Sequence, residues 1–199
     1  MALELNGTTG VSLVQDGVVA TADLADNAVT SAKLFSGFAN GITEADAWRI
    51  STTLALANSA VVSSNWERVD TGGQDGFGKL GTGLSESSGI FSFPSTGYWW
   101  INFFATCTRT NTETDEIGMG LNVTNDNFTG DSISVEVLDS IFKLNTTGSV
   151  SGTFLFNITD TANQKFRFKM VTTAGSGTAF VGNTGKSYTG FSIFKVAEV

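Results

Sequence analysis

The sequence contains no histidine, and it has only one cysteine and one proline among its 199 residues. Without histidine the chain has no Ser–His–Asp arrangement, no usual general base and few of the common zinc sites. Cys107 has no partner for an internal disulfide, and no imidazole is present to activate its thiol. The acidic residues are scattered among predicted turns, so no carboxylate pair marks a reaction centre. We therefore expect a buried, inert Cys107 and a protein that is not an enzyme and needs no cofactor.

Basic residues and long apolar runs are also scarce. Lysine and arginine together number 11 against 19 aspartates and glutamates, which gives a net charge of −8 at pH 7. Such a chain repels a phosphate backbone, so we expect no nucleic-acid binding. No run approaches the roughly 20 apolar residues that span a bilayer, and the opening MALELNGTTG lacks the basic start and apolar middle of a secretory signal. The expectation is a soluble protein, without membrane insertion, that folds in the cytosol.

Apolar residues and turn formers are abundant, and together they predict an all-β domain. Hydrophobic residues make up 41% of the chain and charged residues 15%, which is enough to bury a core. From Trp66 onward, apolar and polar residues alternate in short segments separated by Gly, Asn, Asp, Ser and Thr clusters. Seven or eight such strands favour a two-sheet sandwich or jelly roll. The predicted strands lie within residues 65–70, 89–93, 98–109, 117–124, 132–142, 149–159, 165–171 and 188–196.

The segment YWWINFFATC, residues 98–107, has two faces of different character. One row is apolar and should fill the space between two sheets: Trp99, Ile101, Phe103, Ala105 and Cys107. The opposite row also carries large rings, Trp100 and Phe104, beside polar residues. Exposing each of these rings to water would forgo about 2 kcal/mol. Either another protein chain buries this face, or residues 41–64 of the same chain fold over it.

The segment KFRFKMV, residues 165–171, alternates more simply. Phenylalanine and methionine occupy every second position, and the positions between them hold Lys165, Arg167 and Lys169. This pattern predicts a strand with one buried side and one solvated side, with Arg167 on the solvated side.

The first 64 residues differ in texture from the predicted strands. Residues 1–40 are rich in small residues and carry short apolar clusters, which is too little apolar surface to fold alone. Further on, Thr43 precedes Glu44 and Asp46 in the manner of a capped first turn, which predicts a short helix to about Ile50. We therefore predict an N-terminal anchor or neck over 1–40, a short helix and linker over 41–64, and a β-domain over 65–199.

The segments SSGIFSFPSTGYWWINFFATC, FNITDTANQKFRFKM and SYTGFSIFKV closely resemble the C1q/TNF-like jelly roll. The pattern G-x-F-x-F/C-P-x-x-G-x-Y of that family matches from Gly89 to Gly97, with Trp99 in place of the closing Tyr, and the resemblance extends from Trp66 to Val199. It implies a jelly-roll sandwich that forms a homotrimer around a threefold axis lined by aromatic and aliphatic side chains. Combined with the two-faced strand, it places the following residues at the trimer interface: Tyr98, Trp100, Phe104, Leu155, Tyr188 and Phe194.

The collagen stalk of animal C1q proteins is missing, and other segments stand in its place. Two segments, LELNGTTGVSLVQDGVV and ADLADNAVTSAKL, resemble short segments common in bacteriophage tail-fibre proteins. ADAWRIS, leading into SNWERVDTGGQDGFGKLGTGLSESSGIFSFPSTG, is similar to the C-terminal domains, or heads, of structural proteins of marine and cyanobacterial phages. Residues 1–40 would then attach the chain to other virion proteins. Three copies can together bury apolar side chains that one copy cannot, namely Leu3, Leu5, Leu13, Val14, Val18, Val19, Leu24 and Val29. The resemblance implies a virion protein that assembles in the cytoplasm of a bacterial host.

These resemblances imply a trimeric short fibre of a bacteriophage virion whose head binds a glycan or protein on the host cell surface. The alternative is a capsid decoration, or cement, protein, and a third reading is a cell-encoded C1q-like binding module. Candidate receptor loops are residues 110–116, 125–131, 145–149 and 174–186, although each also fits an ordinary solvated hairpin. The residues singled out are Thr110, Asn111, Glu113, Asp115, Asn125, Asp126 and Asn127. The acidic TNTETDE, residues 110–116, is a weaker candidate for calcium, which prefers hard oxygen ligands.

Overall fold

The computed structural model describes residues 5–6, 10–11, 29, 41–69, 78–109, 115–130, 132–141, 146–173 and 177–199. The chain divides into two units, Met1–Asn40 and Gly41–Val199. In the first unit, strand β1 (Leu5–Asn6) pairs antiparallel with β2 (Gly10–Val11). Within the described residues of both units the regular structure is entirely β, and no helix is long and apolar enough to cross a bilayer.

The strands of the second unit follow one another as an antiparallel β-sandwich. In chain order they are β3 (Ala45–Ile50), β4 (Thr52–Ala55), β5 (Trp66–Arg68), β6 (Lys79–Leu80), β7 (Ser85–Ser87), β8 (Ile90–Ser92), β9 (Gly97–Arg109), β10 (Asp115–Thr124), β11 (Ile133–Ile141), β12 (Thr147–Ile158), β13 (Lys165–Thr172), β14 (Thr178–Asn183) and β15 (Gly190–Ala197). All the predicted strand segments contain a strand in the structure. Period-2 alternation is a reliable sign here because one face of each strand lies on the core.

The first sheet is built around β9, which is the longest strand in the described residues. On one side β12 pairs with it from Ile158↔Gly97 to Thr147↔Thr108. On the other side β15 pairs with the first half of β9, and β14 pairs with its last three residues. Strands β3 and β4 extend this side of the sheet, and β5 and β6 pair with β3.

The second sheet has the strand order β11-β10-β13-β8-β7, and all its pairings are antiparallel. Its inner face meets the inner face of the first sheet in a core rich in phenylalanine. Phe91 stacks on Phe166 with ring centroids 5.1 Å apart, and Phe191 of the first sheet lies edge-on to Phe91 at 4.9 Å. The predicted inward row of β9 is confirmed, since all five of its side chains are at most 1% exposed. Two antiparallel sheets around one core confirm the predicted all-β sandwich.

The predicted helix after Thr43 is wrong, because Ala45–Ile50 forms β3. Its residues pair with β15 on one side and with β5 and β6 on the other. The two carboxylates that suggested a helix cap bind backbone amides far along the chain instead. Glu44 accepts from the amides of residues 82 and 83, at 3.1 and 3.0 Å, and Asp46 accepts from that of Leu84 at 2.7 Å. Sequence alone does not reveal these partners, which lie 38 or 39 residues away.

Candidate assembly face and surface loops

The side chains of the first sheet that point away from the core form a surface here called the assembly face. It contains the even-numbered residues of β9, the odd-numbered residues of β12 and the even-numbered residues of β15, as the strand register requires. All six residues predicted at a trimer interface lie on this face or at its border. They are Tyr98, Trp100, Phe104, Leu155, Tyr188 and Phe194.

Three of these six residues form one cross-strand row at the centre of the assembly face. Trp100 is the register partner of Leu155 on one side and of Phe194 on the other. Leu155 is 48% exposed and Trp100 is 37% exposed, whereas Phe194 is half-buried. Directly opposed residues in an antiparallel pair have Cβ atoms about 5 Å apart, so the three side chains form a continuous apolar ridge.

The other three predicted residues flank this ridge. Phe104 lies four residues further along β9 and is half-buried. Tyr188 is 37% exposed, and its carbonyl accepts from the amide of Thr106 at 3.0 Å, which holds it beside the same end of β9. Tyr98, also half-buried, lies at the other end, opposite Asn157. The strand register thus places five of the six side chains on the outer side of the sheet, with Tyr188 at its border, a grouping that period-2 alternation alone had implied for the three on β9.

Charged side chains are confined to the border of the assembly face. Arg49 is directed to this side, but it is buried and its guanidinium forms an ion pair with Glu67 at 2.6 Å. Glu67 also accepts from the hydroxyl of Thr184 at 2.8 Å. Among the described residues of β9 and β12, the row between the ridge and Phe104 is polar but uncharged, with Asn102 opposite Thr153. A surface with an apolar, uncharged centre and a charged border has the character of a protein–protein interface.

Residues 41–64 do not cover the assembly face, so the alternative that they fold over it is wrong. Strands β3 and β4 take places within the same sheet, at its side. The next residues join the second sheet, where the amide of Val62 donates to the carbonyl of Phe168 and the amide of Met170 donates to that of Ala60, both at 2.9 Å. Backbone hydrogen bonding therefore uses this segment to extend both sheets. It leaves Trp100 and Leu155 exposed.

Of the predicted receptor loops, the one that contains Asn125, Asp126 and Asn127 is a well-organised turn. The hydroxyl of Thr124 donates to the Asp126 carboxylate and accepts from the amides of Asp126 and Phe128. The hydrogen bond from Thr124 is the main reason that the pKa of the Asp126 carboxyl lies below its usual range. Asn127 and Phe128 adopt left-handed conformations with φ of 59° and 61°. The turn is therefore held in one conformation by local hydrogen bonds.

The remaining loop predictions fare differently. Thr110, Asn111 and Glu113 lie outside the described residues, and Asp115 begins β10. The predicted loops 145–149 and 174–186 are partly wrong, because Thr147 begins β12 and Thr178–Asn183 forms β14. Strand β14 is held by β9 and β4, two pairings between distant segments that local sequence does not signal. Calcium binding was predicted for the acidic segment 110–116, and residues 110–114 of this segment lie outside the described residues. Among the described residues, no cluster of metal-binding side chains occurs.

Most of the predicted N-terminal anchor cannot be placed. Leu5 lies in β1, and Val29 is 53% exposed. The other anchor residues lie outside the described part of the chain, namely Leu3, Leu13, Val14, Val18, Val19 and Leu24.

Arg167 departs from the prediction of a solvated side chain. Its guanidinium lies over the ring of Phe128, 4.0 Å from the ring centroid, and its Nε is buried without a hydrogen-bond partner. The turn at residues 125–130 folds back over β13 and covers this arginine. A sequence pattern reports only the side of the strand on which Arg167 lies. The turn that covers it is a feature of the tertiary structure.

Comparison with known structures identifies the fold. Eiger TNF from S. frugiperda matches over 78% of this chain and 93% of its own, with a TM-score of 0.57 and 13% identity. Murine APRIL, crystallised at pH 8.5, matches over 77% of this chain and 98% of its own, with a TM-score of 0.53 and 11% identity. The PRD1 vertex protein P5 covers 79% of this chain and 99% of its own at 16% identity, but its TM-score of 0.48 is too low to support an argument.

The first two similarities confirm the predicted TNF-like jelly-roll fold. At these identities they establish the fold alone, because unrelated functions share the same folds. The sequence matches no protein-family model and no curated protein.

Proposed function

We propose that the chain forms a homotrimer through its assembly face, and that the trimer is a short fibre of a bacteriophage virion whose head binds the host cell surface. The observation that carries this proposal is the apolar ridge of Leu155, Trp100 and Phe194. The ridge lies at the centre of a sheet face that is uncharged there and that residues 41–64 leave open. Each large apolar side chain that becomes buried contributes about 2 kcal/mol, so several per subunit support a stable assembly.

A ring of three copies suits this surface. A closed ring uses a heterologous contact, in which the assembly face of one copy meets a different surface of the next. Three such contacts around one axis bury all three ridges, and no ridge is left in water. The resemblance of the matching region to the trimeric C1q/TNF-like family supports the same assembly.

The virion role rests on the N-terminal segments. LELNGTTGVSLVQDGVV and ADLADNAVTSAKL resemble segments of phage tail-fibre proteins, and a threefold assembly would place three of each side by side. Their apolar residues could then pack on one another and on another virion protein. A trimer of heads would present three identical copies of each surface loop. Three weak sites on one rigid head gain avidity when they engage a surface together.

Light scattering on the purified full chain tests the assembly. We expect a mass three times the chain mass of 20.9 kDa. A monomer at micromolar concentration would contradict the trimer.

Two further measurements test the virion role. Immunogold labelling of the virion should place the protein on the tail, whereas labelling of the shell would favour a decoration protein. The purified trimer should block phage adsorption at saturating concentration. Normal adsorption under those conditions would argue against host binding.

A further inference from the structure

The solvent face of the second sheet carries a polar cleft of about 280 Å³ that is separate from the assembly face. The register places Ser85, Ser92 and Lys165 in one row across β7, β8 and β13, since Ser92 pairs with both of the others. Two residues further along the same strands, Ser87, Ile90 and Arg167 form a second row. Both rows point away from the core, because the alternate row holds the buried Phe91 and Phe166.

The polar groups in this cleft have unused hydrogen-bonding capacity. The hydroxyls of Ser85, Ser87 and Ser92 make no hydrogen bond with the described part of the chain, nor does the side-chain amide of Asn127. The ammonium of Lys165 likewise has neither a hydrogen bond nor a carboxylate within 4 Å among those residues. Polar groups that line a concave surface without internal partners are available to a ligand.

The charge of the cleft is positive at one end. Lys165 and Arg167 are two residues apart on one face of β13, or about 7 Å along the strand. Neither cation is paired with a carboxylate in the described residues, although the whole chain carries a net charge of −8. Glu86 on β7 is the register partner of Phe91, so its side chain leaves the strand on the other side from these two cations, and its carboxylate accepts from the amide of Gly89 at 2.6 Å. The cleft therefore offers one lining cation, Lys165, beside the serine hydroxyls and Asn127, and Arg167 under Phe128 adds to the positive charge at that end.

The turn that contains Asn127 holds one wall of the cleft in place. The backbone amide of Asn127 donates to the carbonyl of Asn163 at 2.9 Å. The hydroxyl of Thr124 accepts from the amide of the preceding residue, Asp126. Arg167 stacks on Phe128 from the side of the sheet. Both contacts exist without a ligand, so little conformational entropy is lost when one binds.

From this geometry we infer that the cleft binds an acidic saccharide, with the sugar carboxylate against Lys165 and sugar hydroxyls against the serine hydroxyls and Asn127. Ammonium to carboxylate contacts are stronger than neutral ones, and hydroxyls both donate and accept, which matches the groups present. The side chain of Ile90 supplies an apolar surface for the C–H face of the sugar ring. The inference rests on the proposed function, since it assigns a ligand class to the host-binding head.

Calorimetric titration of the full-length protein tests this site. The probes are three acidic trisaccharides, which carry galacturonate, glucuronate or N-acetylneuraminate, and the neutral trisaccharide of galactose. At least one acidic probe should bind saturably and at least tenfold more tightly than the neutral one, and higher salt should weaken this binding because it screens exposed charges. Lys165→Gln should lower the affinity by about tenfold, as expected for the loss of a charge-assisted hydrogen bond.

Lys186→Gln is the matched control, because it removes an exposed cation from a different turn. It should leave the affinity unchanged. Ser85→Asp is a second test that does not depend on the folding of the lysine variant. Ser85 is exposed on an edge strand, so the substitution should not disturb folding. The new carboxylate would repel the acidic probe and weaken its binding. No saturable binding at 10 mM of any acidic probe, equal affinity for the neutral one, or equal losses in the two lysine variants would overturn the inference.

The two proposals fail in different ways. If the protein is trimeric and blocks adsorption but binds no acidic probe, the saccharide site is wrong and the fibre role stands. If an acidic probe binds and Lys165→Gln weakens it, while the protein neither blocks adsorption nor labels the virion, the site stands and the fibre role is wrong.

Discussion

Cys107 illustrates how far a single residue can be understood from its place in a strand. It lies in the inward row of β9, is 1% exposed and lies near the Asp139 carboxylate. Desolvation by burial, with a smaller contribution from that carboxylate, raises the pKa of the thiol from 9.0 to about 12. The thiolate is the reactive form, so the folded protein holds almost none of it at neutral pH.

We predict that Cys107 does not react with iodoacetamide in the folded protein at pH 8 and reacts readily after unfolding in urea. The pKa of the thiol is higher in the folded than in the unfolded state, so the thiol contributes to the free energy of unfolding in full below pH 9. This contribution is lost as the pH rises towards 12. Mass spectrometry after timed alkylation measures the reaction. Fast modification of the native protein at pH 8 would contradict the burial of this side chain.

Trp99 occupies the position where the family pattern has its closing tyrosine, and the structure explains how the larger ring is accommodated. The side chain is fully buried, and its indole N–H donates to the carbonyl of Ser95 at 3.3 Å. Its ring centroid lies 5.5 Å from that of Phe93. The tryptophan therefore keeps both an aromatic contact and a hydrogen bond, the two properties that a buried tyrosine needs.

At the scale of the element, β10 has two glycines at which an added Cβ would meet neighbours of different flexibility. Gly118 and Gly120 lie on the outer side of the strand, between β11 and β13. A Cβ at residue 118 would overlap the carbonyl oxygen of Val137, which is backbone. A Cβ at residue 120 would lie 2.8 Å from Cε of Lys169, the end of a flexible side chain that forms an ion pair with Glu136 at 2.8 Å.

We predict that Gly118→Ala destabilises the protein by about 1–3 kcal/mol, as other overpacked positions do, because β11 must move away from β10. Gly120→Ala is the matched control and should destabilise it less, since Lys169 can change its rotamer. Urea denaturation at one fixed protein concentration measures the difference in the free energy of unfolding. A larger loss from Gly120→Ala would show that the spacing of β10 and β11 is not the limiting contact.

Strand β3 shows, at the same scale, the limit of local patterns. Thr43, Glu44 and Asp46 have the spacing of a helix cap, but Asp46 accepts from Arg68 Nε at 2.9 Å as well as from a distant amide. These contacts exist only once β5, which contains Arg68, and Leu84 lie beside β3. Asp46, Trp48 and Ile50 occupy alternate positions and all three are buried. Because Asp46 is charged, the sequence does not show this row as the apolar face of a strand.

At the scale of the whole molecule, the assembly face is the surface on which the proposed trimer depends. Three large apolar side chains occupy its central row, and the charged Arg49 and Glu67 are paired at its border. This arrangement is costly for a monomer in water and favourable in a complex. The cleft at Lys165 lies on the other sheet, so the assembly face and the cleft have no residue in common.

We predict that Trp100→Asp converts the trimer to monomers at micromolar concentration. A carboxylate in the centre of the ridge would be buried without a partner, which costs several kcal/mol at each of the three contacts. Sedimentation velocity measures the mass, and circular dichroism confirms that the subunit remains folded. The matched control is Ser64→Asp, which adds the same carboxylate to an exposed bend and should leave the trimer intact. A trimer in both variants would show that Trp100 is not at the interface.

The sequence by itself determined the all-β class, most of the strands and the two faces of β9, because the pleat places successive side chains on opposite sides whatever the neighbouring strands are. Alternation and family resemblance also predicted six trimer-interface residues, five of which the strand register places on the outer side of the first sheet. Only the tertiary structure decided that residues 45–50 form a strand and that β14 forms within the predicted loop 174–186. It alone also decided that Ser92, Lys165 and Asn127 line one cleft. Each of these depends on pairing between segments distant in the chain, and a local pattern carries no information about which distant segment becomes its neighbour.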